Sequence, residues 1–589
     1  MLRLVCDTAA LRRLFDRQDC PVAETYRHHN VQDRPVEIAL PPLMHLLRPL
    51  PLAALAVVLA LPAAAQSPSL TQTTPGALVP GQSTELTLQG ANLAGATNLW
   101  TGFKTEAITP KGGPAGALKL SVKLGSAVPV GVHAVRVASA NGVSNPLLLM
   151  VDDLPSVPDA GTNTAPTNAQ ALKWPVAVDG AALALKPKCY RVTVQPGERL
   201  AIEVVAQRLG SKLDPVLRLL DAKGRELAFC DDESGLSGDC RLAHVFAAGG
   251  DYFIEVRDIN YGGGADYRFR LRVGDFPLVN LPFPAGVKAG SPGTFTFVGP
   301  QMDKVPTVTA TAAADALHLP LSAKFPGGKS SGFGAAVVSD LTEVVETEPN
   351  ENAETATPFT LPAGLNGRFL KAKERDFWKF SAKKGQRVVF TAQTRSLGSA
   401  SEVMLQLRDA KGTALVSSAV NDASEGAVTN SIPADGTYFL VVDELIRRGG
   451  PQHAYRVEAE LQPAGFSLEA DAEKAEAAPG GSFTVKVTVA RRDYTGPITL
   501  SLAGIEGAKL ADEVIKDKAA NTTLKVTLPD TITPGSLTHF RIVGKAKIGE
   551  VEFAATARTT LALRKIFPAM PFPPRELDGP IALGVKGKK

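Results

Sequence analysis

Aromatic side chains make up only 6% of the 589 residues, cysteine occurs five times and histidine eight times. The sparse cysteines form no Cys-x-x-Cys pair and no His-Glu-x-x-His is present, which removes the common zinc and dithiol frameworks. Neither charge sign is in excess: 63 Lys and Arg face 59 Asp and Glu, for a formal +4. That balance gives no reason to expect nucleic acid or a polybasic membrane contact. After residue 65 no apolar run approaches the roughly 20 residues that span a bilayer. What the chain has in quantity is turn chemistry. Its 53 Gly and 44 Pro, on an otherwise globular composition, favour many short strands over helices, and its length suggests about four domains of ordinary size.

Residues 1–43 are Arg-rich, hold Cys6 and Cys20 and show no domain pattern. Met44 then opens an apolar run from Leu50 to Leu61, closed by Ala63-Ala64-Ala65 before Gln66. That is the layout of a secretory signal peptide with a small-residue cleavage site. A transmembrane anchor is the rival, but the run is too short to span. Translation is therefore expected to start at Met44, with 1–43 a disordered start-site artefact, 44–65 the signal and Gln66 the mature N-terminus.

The body of the chain contains a duplication. Gly197 pairs with Gly385, Leu209-Gly210-Ser211 with Leu397-Gly398-Ser399, Asp221-Ala222-Lys223-Gly224 with Asp409-Ala410-Lys411-Gly412, and Tyr267 with Tyr455, all at one offset of 188 residues. Repetition of this kind fixes architecture before any local reading. Within each copy apolar and polar residues alternate between Gly- and Asp-rich turns, the signature of an antiparallel sandwich. Asp-Ala-Lys-Gly supplies a hairpin, with Gly taking the positive φ.

The second copy also carries Glu346-x-Glu348-Pro349-Asn350, Asp376-Phe377-Trp378-x-Phe380, Leu407-x-Asp409-x-x-Gly412, Gly436-x-Tyr438-Phe439-x-x-Val442 and Tyr455-x-Val457. This pattern resembles the bacterial pre-peptidase C-terminal domain, a family that includes the collagen-binding modules of clostridial collagenases. The resemblance covers about 120 residues in each copy and is partly eroded in the first. It implies a jelly-roll-like sandwich carried beside catalytic domains or on surface proteins, and not itself catalytic. In the collagen-binding relatives the matching acidic segment and the Asp before the aromatic pair bind calcium. The resemblance thus nominates Glu346, Glu348, Asn350 and Asp376 as ligands, with Glu351 and Glu374 behind them; clustered carboxylate and amide oxygens suit a hard cation. The alternative is a solvated acidic linker. The first copy has Lys188 opposite Asp376, so calcium is not expected there.

Around the two copies the alternation marks an immunoglobulin-like domain at 66–153, with a weak resemblance to the IPT/TIG class, and a shorter such unit at 278–343. A third follows at 463–565. The sandwiches occupy 154–277 and 344–462, and 566–589 reads as a loosely ordered Pro-rich basic tail. The fold class is all-β, with tandem antiparallel sandwiches arranged as beads on a string.

Of the three cysteines after the leader, Cys230 and Cys240 flank a short polar loop between strands. In an oxidising compartment they are expected to form a disulfide, while Cys189 reads as a buried thiol. The loop acids Asp231, Asp232, Glu233 and Asp239 lack the spacing of a calcium loop and read as solvated. Gly328-Lys329-Ser330-Ser331-Gly332 matches Gly-x-Ser-x-Gly, but in a loop without strand–turn–helix context. His133, His244, His318, His453 and His539 are dispersed. No catalytic residue is nominated. The expected protein is exported, to the periplasm, cell surface or medium, and is not an enzyme. It would bind an extracellular or envelope polymer, protein fibre or polysaccharide, with Tyr252, Tyr261, Trp378 and Tyr438 as available aromatics unless they pack the core. The alternative is an accessory partner of a secreted peptidase, and an unrecognised hydrolase is the third reading.

Overall fold

The computed structural model describes residues 66–419 and 425–588. The expected leader and the 43 residues before it lie outside the described residues. One α-helix occurs among the described residues, Thr560–Ile566, and none is long and apolar enough to cross a membrane. The rest is strand and turn, as the Gly and Pro content demands.

Ten strands build the first copy: β1 (Ser156–Pro158), β2 (Gln170–Leu172), β3 (Val176–Ala181), β4 (Lys188–Val194), β5 (Arg199–Val205), β6 (Pro215–Leu220), β7 (Glu226–Asp231), β8 (Cys240–Val245), β9 (Gly250–Asp258) and β10 (Arg268–Gly274). They form two five-stranded sheets, β1-β3-β10-β5-β8 and β2-β4-β9-β6-β7. The second copy supplies β11 (Thr342–Val345), β12 (Thr357–Pro358), β13 (Ala363–Arg368), β14 (Arg375–Ala382), β15 (Arg387–Gln393), β16 (Val403–Asp409), β17 (Ala414–Ser417), β18 (Ala427–Ser431), β19 (Gly436–Glu444) and β20 (Ala454–Leu461). Its sheets, β11-β13-β20-β15-β18 and β12-β14-β19-β16-β17, follow from the first by adding ten to every label. In each copy the first two strands join parallel and the central pairs run antiparallel.

The repeated turns are identical in their bonds. Asp221 Oδ1 accepts from the backbone N–H of Lys223 and Arg225 at 2.8 and 2.9 Å. Asp409 Oδ1 accepts from Lys411 and Thr413 at 2.9 and 2.8 Å. Gly224 and Gly412 take φ of +76° and +82°, a region where a Cβ is strained. Period two then decides what lies inside. Along β14 Asp376, Trp378, Phe380 and Ala382 are buried while Lys379 and Ser381 are exposed; along β4 Lys188, Tyr190, Val192 and Val194 are buried and Arg191 and Thr193 exposed. Each copy therefore carries a charged residue in line with its core row. Trp378 and Tyr438 belong to that core, so neither grips a ligand, and truncating Trp378 to Ala costs about 3–5 kcal/mol.

The modules are not independent beads. Arg136 of the first module meets Glu473 of the last at 2.5 Å, both nearly inaccessible, and Glu476 accepts from Ser67 Oγ at 2.7 Å and from the Val143 N–H at 2.9 Å. The tail is not loose either. Ile581–Val585 is buried at all five positions and lies in a sheet between Lys474–Ala477 and Leu537–Ile548. An apolar strand of five residues is enough to anchor a segment whose overall composition reads as linker.

Candidate metal centre

β11 leads directly into the acidic segment, which crosses to β14 and is pinned there by the Phe377 N–H donating to the Asn350 carbonyl at 2.8 Å. This brings together residues separated by 30 positions in the chain. Glu346, Glu348 and Asp376 each place one carboxylate oxygen so that all three lie within 4.8 Å of one another, and Glu348, Glu351 and Glu374 form a second such group. Glu346 Oε1 accepts from the Arg368 N–H at 2.7 Å and Oε2 from Asn350 Nδ2 at 3.3 Å. The Arg368 guanidinium makes no ion pair with Glu346: it lies over the Phe283 ring and donates to Thr296 Oγ1 at 3.0 Å.

Asp376 is fully buried, as is Asn350. Neither carboxylate oxygen of Asp376, nor Asn350 Oδ1, has a hydrogen-bond partner. The Tyr455 hydroxyl, which accepts from Trp378 Nε1 at 2.9 Å, faces Asp376 and lowers it, an effect smaller than burial and the charge of Glu346. Orphaned buried oxygens of this kind are costly. Burial, and then the charge of Glu348, pushes Glu346 up to about 8. Burial and then Glu346 hold Asp376 well above the usual carboxylate range. Burial, then Glu374 and Glu351, raise Glu348. Three acids and an amide oxygen grouped this way fit a hard divalent ion, which takes oxygen ligands.

The first copy answers the same problem differently. Its segment is pinned by the Cys189 N–H donating to Asn163 O at 2.7 Å, so Asn163 corresponds to Asn350, and Asp159, four residues earlier, to Glu346. Lys188, 1% exposed, ion-pairs with Asp159 and also donates to Gly161 O at 3.3 Å. Tyr190 Oη donates to Asp159 Oδ1 at 2.8 Å. An ammonium thus stands where the second copy has an acid. The equivalence runs at 187 residues in the segment and 188 in the strands, a slip that hides Asp159 and Asn163 from a fixed-offset reading.

Cys189, Cys230 and Cys240 are free thiols in this structure, so the expected Cys230–Cys240 bond is not present in it. The two do adjoin across the sandwich, sharing a hydrogen bond that lowers Cys230 and raises Cys240. Cys189 is buried, and burial followed by the nearby Glu255 pushes it up to about 12. Among the loop acids, Asp239 accepts from three backbone N–H groups and Arg208. Glu233 pairs with Arg241 at 2.8 Å. Asp231 and Asp232 group with Asp214. Ser330 and Ser331 are buried, and Ser331 Oγ donates to Asp153 at 2.7 Å. His453, one of the dispersed histidines, meets Ser401 at 3.1 Å, and both are buried.

Residues 374–444 match the family model of the bacterial pre-peptidase C-terminal domain. A "Probable subtilase-type serine protease" of Deinococcus radiodurans is 32% identical over 106 residues, which are 18% of this chain and 15% of that protein. The pre-peptidase C-terminal domain of collagenase from Bacillus anthracis aligns over 99% of its length and 19% of this chain, with 17% identity and a TM-score of 0.16. A mixed-linkage glucan utilization protein, SGBP-B, of Bacteroides ovatus aligns over 72% of its length and 62% of this chain, with 10% identity and a TM-score of 0.13.

Proposed function

We propose, from the pre-peptidase C-terminal family domain at 374–444, that this protein is an exported, non-catalytic binding protein whose second sandwich is organised by calcium. The observation that carries the calcium reading is the fully buried Asp376, with both oxygens unpartnered, facing Glu346 and Glu348. Glu346, Glu348, Asp376 and Asn350 Oδ1 would hold the ion. Calcium would supply the charge that fastens the acidic segment to β14, and with it the edge of the sandwich.

The polymer it grips is a protein fibre or a polysaccharide outside the cell or in the envelope. Tyr261, 44% exposed with Arg257 stacked at 4.6 Å, is an aromatic free to take part. A second reading is favoured by the likeness to a subtilase-type protease: the chain serves as accessory partner of a secreted peptidase. Retention of the purified chain on insoluble collagen or cellulose without release of casein peptides supports polymer binding. Recovery only with a secreted peptidase supports the second reading, and casein turnover by the pure chain defeats both. N-terminal sequencing of exported protein should return Gln66.

A further inference from the structure

A cleft of about 820 Å³ opens where the short module, the second sandwich and the C-terminal module meet, a volume within the roughly 300–1,000 Å³ typical of ligand sites. It shares no residue with the metal centre. Arg541, Arg558, Arg564 and Arg575 line it. Arg558 is bound by Asp578 at 2.7 Å. The other three have no carboxylate within ion-pair distance among the described residues. Arg564 Nε is buried without a hydrogen-bond partner, and Arg575 has a single long bond, 3.4 Å to Ser396 Oγ.

The acids of the cleft do not fill this gap. Glu458 is held by Arg456 at 2.8 Å and by Gln393, and Glu425 already accepts from Thr394 and Ser396. Asp578 takes Arg558, Thr559 and Thr560. Asp315 and Asp340 sit exposed at the rim. Burial is what chiefly lowers Arg575; Glu458 and Glu425 attract its charge from beyond ion-pair distance, and Arg456 and Arg558 repel it. Guanidinium groups left this way are matched by carboxylate or sulfate oxygens, which they grip in a planar fork.

We propose that this cleft binds a stretch of anionic glycan, its carboxylates or sulfates meeting Arg541, Arg564 and Arg575. Between the arginines the walls present hydroxyls and an amide, from Thr391, Gln393, Thr556 and Thr560, and one ring, Phe572. That alternation of charge, hydroxyl partner and flat apolar face suits sugar rings better than an acidic peptide, whose backbone would need paired N–H and C=O partners along its length.

The test is calorimetric titration of the full chain, in chelator throughout, with tetragalacturonate, its neutral methyl ester, poly-glutamate and sulfate. Tetragalacturonate should bind, more weakly as salt rises, and the methyl ester should not. Arg564→Gln and Arg541→Gln should each weaken binding by at least about tenfold with unchanged thermal unfolding. Arg575→Gln should weaken it further. The half-buried Arg541 keeps the test valid should Arg575→Gln fail to fold. No binding, equal binding of the ester, preference for poly-glutamate, binding of sulfate only as an adventitious ion, or indifference to both Arg541→Gln and Arg564→Gln overturns the proposal. Because calcium is absent, failure here leaves the calcium reading of the second sandwich untouched.

Discussion

The two sandwiches share strand order, turn bonds and the way an Asn on the incoming segment takes a backbone N–H from the neighbouring strand. They differ at the residue that begins the core row: Lys188 in one, Asp376 in the other. The first copy carries its own cation, buried against Asp159 and closed by Tyr190. The second stacks acid on acid and leaves three oxygens without a partner. One fold therefore tolerates residues of opposite charge type at one interior position.

Lys188→Met should have the largest effect. It strands Asp159 in the interior, and removing one member of a buried pair costs about 3–5 kcal/mol; equilibrium unfolding of the full chain, with hydrogen exchange to locate the loss, measures it. Asp376→Asn in chelator should do the reverse, holding or raising stability, since it replaces an acid whose charged form the interior disfavours. Loss in both variants would break the comparison.

A second asymmetry lies at the cysteines. Ser418 and Gly426 stand where the first copy has Cys230 and Cys240, and a Cβ on Gly426 would lie 3.3 Å from Ser418 Oγ. We expect protein recovered after export to show Cys230 joined to Cys240 on non-reducing peptide mapping. Cys189 should be alkylatable only after unfolding. Reduction should then cost the first sandwich roughly 3 kcal/mol and the second nothing. A Cys189-containing disulfide would contradict its buried place on β4.

Calcium should protect the second sandwich alone, by about 2.7 kcal/mol at a hundredfold excess over Kd, read as slowed hydrogen exchange in β11 and β14. Asp376→Asn or Glu348→Gln should abolish the gain. If exchange in β14 is indifferent to the ion, the acidic segment is only a linker.

The smallest and sharpest test is pH. Glu346, pushed up to about 8, binds its proton more tightly folded than unfolded. Its contribution to stability is therefore full below about pH 4 and is lost as pH rises toward 8. In chelator the second sandwich should weaken over that interval. With calcium, which needs the deprotonated acids, the trend should flatten or reverse.

Much of this was legible in the residues. The duplication, the Asp-x-x-Gly turns and the opposition of Lys188 and Asp376 are local matches that survive in sequence. The acidic cluster was legible only through the family pattern, since Glu346 and Asp376 meet from positions 30 residues apart. Asp159 and Asn163 were not, because one residue of slip breaks the offset. Trp378 and Tyr438 were open until the strand phase set them in the core. The burial of Ile581–Val585 and the contact of first and last modules depend on partners more than a hundred and more than three hundred residues away, and no window of sequence contains both.

The strand Ile581–Val585 has a consequence for how the molecule is made. It is delivered late, yet it lies between two strands emitted far earlier, and just beyond it the Gly587 N–H donates to Ala140 O at 2.7 Å. A chain threading out of a ribosome or a translocon can complete its sandwiches one at a time. The sheet around Ile581–Val585 must wait with a gap until that strand appears. Assembly order and synthesis order thus diverge, and a chain cut before Ile581 would expose an unfilled sheet to proteases and loosen the first module.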